Sequence, residues 1–525
     1  MRRSAVVLGL CFSLLASCKS DPSKPEYWDQ RLGDAKGKKE KLKVLEELRG
    51  SKFRTAAVLP VLHKHLQSEK SLEVRAAVAH LVALQQDPSS LEPLVNAIEP
   101  APADAEARAL NKALASALGA LGDPKAGPGL LRLLKTRDAF TTVAAIEGLA
   151  RLKTPEAYQP LSDLAGDDAV DPFLIRKALE ALGDLGDPRA VPLLVKAMFR
   201  GAGAGYYRES SFALYQLGQP SADALVPVVA GADASLQAWA DKAGIKKVAL
   251  LAKATQVLGD LHEPKAVKPI VGLLAYRTEY DDECFILRTR AADALGRMRA
   301  REAVKPLAGL LDDPLPDARL EYALALARIG GTEAVPRLTA TASKGVWSAR
   351  EESLKGLAML GDEPTVFEGL AQVEASRMKR ECAEDDGAEG CDDVPRATAR
   401  HVDRIRALAL RAAAARECRG LAGCWVKKLD DPDAGVRERA ALELGRSGQA
   451  AVVGALLGHL GEQHPEARVA VIQAVDWLTH DAAPAREEAR KAVPAIAQQL
   501  EAERGKSDFQ KVNEDLRRLE AWLSR

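Results

Sequence analysis

Apolar residues recur at helical spacing along most of the chain, and polar or glycine-containing breaks interrupt them at near-regular intervals. The clearest breaks read Leu118-Gly119-Ala120-Leu121-Gly122-Asp123-Pro124 and Leu182-Gly183-Asp184-Leu185-Gly186-Asp187-Pro188, with a third at Leu258-Gly259-Asp260-Leu261-His262-Glu263-Pro264. Weaker copies end at Leu84, Leu152, Leu217, Met298, Ile329, Leu360, Leu444 and Leu478. From Leu84 to Leu360 the spacings between breaks are 37, 31, 33, 32, 44, 37, 31 and 31 residues. A period held over that length is the mark of a repeat protein.

Each period predicts two helices. The first helix opens at Asp-Pro, with aspartate as N-cap and proline in the first turn, where its missing N–H costs nothing. The second is expected to end at the Leu-Gly pair, where glycine can take the left-handed conformation. Between them lies a second turn, as in Asp312-Asp313-Pro314 or Asp430-Asp431-Pro432-Asp433. Second helices start near Val74-Arg75, Ile175-Arg176, Leu287-Arg288, Ala318-Arg319, Ala349-Arg350, Val436-Arg437 and Ala467-Arg468. Such units resemble HEAT repeats, in the short form also found in phycobilin lyases. The resemblance covers roughly residues 25–505 and implies an all-α fold, an α-solenoid superhelix of about eleven or twelve HEAT-like two-helix repeats. It also implies that the recurrent arginine bonds turn carbonyls and aspartates rather than forming a basic ladder. Residues 506–525 read as a C-terminal capping helix, with Phe509, Val512, Leu516, Leu519 and Leu523 on one stripe.

Composition narrows this picture. Aromatic residues make up 4% of the chain, so the core is aliphatic, which suits close-packed helices better than sheets. Lysine plus arginine and aspartate plus glutamate each count 74, and a chain without net cationic excess is not expected to bind nucleic acid.

The first residues read as an address. Met1-Arg2-Arg3-Ser4 precedes an apolar run from Ala5 to Leu15, which is too short to span a bilayer, and then Leu15-Ala16-Ser17-Cys18. That ending resembles the lipobox of bacterial lipoproteins. The resemblance implies cleavage of residues 1–17 as a signal peptide and acylation of Cys18. It further implies a short tether at residues 18–24 and stable attachment to membrane through lipid. Lys19, rather than aspartate, after the cysteine leans the expectation toward the outer membrane, at its periplasmic face or the cell surface, over the inner membrane.

The repeat period fails at residues 377–400, read as an acidic, cysteine-containing insertion. Glu381, Glu384, Asp385, Asp386, Glu389, Asp392 and Asp393 crowd a segment with no basic residue. Three readings stand: a solvated loop, a docking site for a basic protein partner, or a Ca²⁺ site. Seven carboxylates could supply enough oxygens for calcium, but the EF-hand order fails, with Cys382 where that loop needs an oxygen ligand. Local disulfides are expected in an exported chain, Cys382 with Cys391 and Cys418 with Cys424, leaving Cys284 as a buried thiol. Zinc is the rival, but no Cys-x-x-Cys pair exists.

No catalytic motif appears. His63 and His65 lie about 200° apart around one helix, and no nucleophile elbow, His-Glu-x-x-His or phosphate loop is present. The expectation is therefore a non-enzymatic protein without cofactor. It would be a lipid-anchored scaffold of the bacterial cell envelope, binding protein partners on its concave face or acidic insertion. The alternatives are a lyase-like or enzyme-accessory protein with a small ligand in the concave groove, and a calcium-responsive surface protein.

Overall fold

Each helix pair is set by its caps. Asp123 Oδ1 accepts the Lys125 N–H at 2.9 Å ahead of Pro124, and Glu263 does the same for Lys265 at 3.0 Å ahead of Pro264. Each proline starts one turn of 3-10 helix that leads into the first α-helix. At the second turn, Asp138 caps Thr141 and Asp433 caps Val436, at 2.8 and 2.9 Å. The computed structural model describes residues 21–136, 138–200, 205–313, 316–384, 393–506 and 510–525. Among these it contains 30 α-helices and no strand, an all-α solenoid.

The two glycines of a break do different work. Gly122 and Gly186 end their helices at φ 73° and 76°, in the left-handed region where a side chain is strained. Gly119 instead lies inside the helix Ala105–Leu121. A β-carbon there would sit 2.8 Å from the Gly148 Cα on the neighbouring second helix, Ala139–Arg151. Gly259 meets Ala294 and Gly445 meets Ala474 in the same way. The expectation that the Leu-Gly pair ends the helix is thus corrected for its first copy. That glycine lets adjacent second helices touch backbone to backbone, while the leucine beside it, Leu118, is fully buried. Burying one such leucine contributes roughly 1.5–3 kcal/mol.

Contacts divide the chain into two compact units, Met1–Asp187 and Pro188–Arg525. In the first, helix pairs follow one another and the second helices Leu72–Ala83, Ala105–Leu121, Ala139–Arg151 and Pro172–Leu185 pack side by side.

The second unit begins as the same kind of array but turns back on itself. Its last helix, Gln510–Ser524, packs on Pro465–Asp481 and Val493–Ala502, covering their apolar faces through Val512, Leu516, Leu519 and Leu523. It also packs against Tyr207–Leu217, at the unit's other end. Side chains of the late helices bond backbone of the early ones. Trp477 Nε1 donates to the Arg297 carbonyl at 2.7 Å, and Arg439 donates to the Ala358 carbonyl at 2.6 Å. Arg446 donates likewise to Ala327, and Arg525 to Tyr215.

The insertion at 377–400 is less of a loop than its composition suggests. Helix Pro364–Glu384 runs through its first part and Val394–Cys418 through its last. Residues 377–384 lack helix breakers, and the two long helices are joined by a buried cluster. Glu374 accepts from Arg350 at 2.7 Å and pairs with His401 at 2.9 Å, while His401 stacks on Trp347 with ring centres 3.7 Å apart.

Candidate functional site

The recurrent arginines are consumed by the fold. Arg75 donates to the Leu66 and Ala97 carbonyls and to Glu99, all at 2.8–3.0 Å. Arg288 pairs with Asp313 at 2.9 Å, Arg437 with Glu462 at 2.8 Å and Arg468 with Glu503 at 3.0 Å. Arg319 reaches the Asp313 carbonyl and Arg350 the Gly345 carbonyl. Asn111 fills the place in its repeat, bonding both the N–H and the C=O of Glu99. A row of charges so occupied is not a basic ladder.

Of the acidic segment, Glu381 and Glu384 fall in the last turn of Pro364–Glu384, where Glu384 is exposed. Asp393 is the N-cap of Val394–Cys418, accepting from the Arg396 N–H at 3.2 Å. Asp385, Asp386, Glu389, Cys391 and Asp392 lie outside the described residues, as do residues 1–20 with the signal peptide and Cys18. Cys382 is disulfide-bonded. Cys418 and Cys424 are joined across the turn where Arg419 and Gly420 take left-handed backbone, and Cys284 is a buried thiol.

The structure brings together residues that sequence spacing does not connect. His262 occupies the left-handed position that glycine holds in the clearest repeats, at φ 53°. From that turn its Nε2 reaches the Asp476 carboxylate at 2.7 Å, across 214 residues of chain. His480, one helical turn beyond Asp476, approaches the same carboxylate at 3.3 Å and its backbone carbonyl at 2.9 Å. Burial alone would raise the Asp476 carboxyl, but His262 and His480 outweigh it and hold it well below its usual range. Burial pulls the His480 imidazole down, and Asp476 more than restores it, leaving it above its ordinary value. Arg299, another left-handed residue, pairs with Asp481 at 2.6 Å on the same late helix.

By composition His262, Asp476 and His480 could hold a metal ion, since one ligand atom from each lies within 4.8 Å of the others. Their orientation fits a hydrogen-bonded clasp better. The imidazoles are stacked, with centres 4.5 Å apart and planes 19° from parallel, so their in-plane lone pairs run side by side. Trp522 continues the stack on His480 at 3.9 Å, capped by the Arg486 guanidinium at 3.8 Å.

Beside the clasp lies a buried ionic layer. Arg297 meets Asp293, Asp515 and Asp260 at 3.1, 3.2 and 3.5 Å. Arg518 meets Asp260 at 3.0 Å, and Arg328 meets Asp293 at 2.7 Å. Burial raises the Asp260 carboxyl against the pull of Arg518 and Arg297. Three arginines and three aspartates thus balance one another, and two of them, Asp515 and Arg518, belong to the last helix. His262 and Arg299 stand where glycine is the easy choice, as Gln86 and Lys153 do in the first unit, so the turn residue alone does not mark the seam in the sequence.

A cavity of about 450 Å³ lies inside the second unit, between early and late helices, with walls that include Leu324, Met359, Leu442 and Val512. The first unit presents a different surface. Phe140 and Phe173 are 68% and 53% exposed, each near the start of a second helix and in the same register before the left-handed residues Lys153 and Gly186. Lys112 lies over the Phe140 ring at 5.3 Å. No described helix is long and apolar enough to cross a membrane.

Comparison with known proteins matches HEAT repeats at residues 103–174, 144–214 and 278–358. A search of curated proteins finds no match. Among solved structures, importin beta in an ammonium sulfate condition is 13% identical over 93% of this chain and 71% of its own, with a TM-score of 0.44. Human deoxyhypusine hydroxylase in complex with glycerol is 20% identical over 52% of this chain and 96% of its own, at 0.22. The CpcE–CpcF complex of phycocyanin lyase from Nostoc is 23% identical over 47% of this chain and 91% of its own, at 0.26.

Proposed function

We propose that the protein is a scaffold that binds other proteins, held in the bacterial cell envelope by lipid on Cys18, at the outer membrane. The observation that carries the binding role is the pair Phe140 and Phe173. An isolated exposed hydrophobic residue means little, but these two recur in one register on packed neighbouring second helices, and we take them together as one docking patch. Aromatic anchors of this kind dominate the energetics of protein interfaces. The acidic segment from Glu381 to Asp393 serves as a second docking element, for a basic segment of the partner.

Affinity capture from crosslinked cells tests the binding role. The double variant Phe140→Ser/Phe173→Ser loses the principal captured protein at unchanged expression, whereas full recovery of that protein would refute the docking role of the patch. Deleting Asp385–Asp392 weakens recovery without abolishing it. Cys18→Ser moves the protein from the membrane to the soluble fraction, and persistent membrane association would refute the anchor.

A further inference from the structure

The second unit's cavity has the features of a ligand site. Its volume of about 450 Å³ falls within the ~300–1,000 Å³ usual for small-molecule sites. The walls near Leu324, Met359, Leu408, Leu442, Val469 and Val512 are aliphatic. On one side stands Gln473, 95% buried by its 5% exposure, whose Nε2 has no hydrogen-bond partner. A buried amide donor without an acceptor costs about 1–3 kcal/mol, which a ligand oxygen placed beside it would recover. Past Leu320, Glu321 and Lys511 the cavity adjoins a second cleft of about 380 Å³, which holds Arg290, Asp293 and Arg297.

Charge at that mouth favours an anion. Asp293 is already engaged by Arg297 and Arg328. Burial pushes the Glu321 carboxyl upward, with Asp293 adding to the push, against the pull of Arg328, Lys511 and Arg290. Lys511 and Arg290 are both exposed, and neither is held in an ion pair among the described residues. An apolar chamber thus ends in two exposed cations, Lys511 and Arg290, that share the cleft with the single carboxylate Glu321 and the already paired Asp293.

We propose that this cavity binds a small amphiphile with one apolar chain and a single carboxylate, of the fatty-acid type. The chain lies among the aliphatic walls, and the carboxylate meets Lys511 and Arg290. A ligand oxygen within reach of Gln473 accepts from its Nε2. This site is independent of the protein-docking patch, because all its residues belong to the second unit.

Calorimetric titration of the full chain tests it with dodecanoate, dodecanol and dodecyltrimethylammonium, each below its micelle concentration. Dodecanoate binds with a stoichiometry of one, about tenfold or more tighter than dodecanol, and dodecyltrimethylammonium does not bind. Lys511→Met, a surface change that leaves the helical circular dichroism intact, removes most of the advantage of dodecanoate over dodecanol. Ala470→Phe, filling the chamber, abolishes binding of both. Absence of dodecanoate binding overturns the proposal. So does equal affinity for dodecanoate and dodecanol, or an advantage unchanged in Lys511→Met.

Discussion

The two units use one repeat grammar to opposite ends. In the first, the clearest breaks end on Gly122 and Gly186, and the second helices carry Phe140 and Phe173 out to solvent. In the second, the corresponding turns hold His262 and Arg299, and both side chains cross to the helix Pro465–Asp481. Glycine at the turn ends a helix cheaply and contacts nothing. A histidine or arginine there accepts left-handed strain, roughly 1–2 kcal/mol, and gains a partner far away in sequence. Left-handed strain alone does not make the seam, since Gln86 and Lys153 accept it in the first unit; what His262 and Arg299 add is the distant partner.

The ionic layer provides the largest expected break in this comparison. Arg297→Met leaves Asp260, Asp293 and Asp515 with two arginines in a buried site, which costs about 3–5 kcal/mol. Hydrogen exchange followed by mass spectrometry should show deprotection of the second unit with the first unchanged. Equal loss in both units would mean that the layer does not belong to the seam alone.

Gly119→Ala makes the complementary break. A β-carbon 2.8 Å from the Gly148 Cα forces two helix backbones apart, for roughly 1–3 kcal/mol. Exchange should now rise in Ala105–Leu121 and Ala139–Arg151, and the second unit should keep its protection.

How much of this was legible in the sequence follows from the range of each interaction. Capping is local, so Asp123-Pro124 and Asp433 could be read directly, and the repeat period followed from them. The recurrent arginines could be read as structural through the HEAT resemblance. Packing glycines could not be separated from capping glycines, because Gly119 and Gly122 look alike until a neighbouring helix is placed beside one of them. The charge of the insertion reads as a loop, yet the Arg350–Glu374–His401 cluster that extends its helices lies outside it. The clasp of His262, Asp476 and His480 was invisible, since nothing local marks a contact across 214 residues. The exposure of Phe140 and Phe173 also had to be seen, because an apolar residue early in a helix normally reads as core.

A smaller effect sharpens the seam through pH. His480 faces Asp476, His262, Trp522 and Arg486, and its folded-state pKa stands above its ordinary value. Its contribution is therefore fully present below about pH 6.5 and is lost as pH rises through the elevated folded-state value. Exchange protection of Pro465–Asp481 should fall over that range above pH 6.5. His480→Gln should flatten the dependence, and a slope unchanged in that variant would remove His480 from the clasp.

The smallest expected effect is on stability at the open face. Phe140→Ser and Phe173→Ser each change stability by no more than about 0.5 kcal/mol, because their rings are already in solvent. A larger loss on thermal unfolding would make them structural residues instead of docking residues.

The most direct measurement places a photo-crosslinking phenylalanine analogue at position 140 or 173, with Glu156, an exposed residue elsewhere in the first unit, as control. Irradiation in intact cells should give a discrete adduct with one other protein from positions 140 and 173 and none from position 156. The absence of adducts at both phenylalanine positions, or equal adducts at position 156, would contradict the account of the first unit as a partner-binding face.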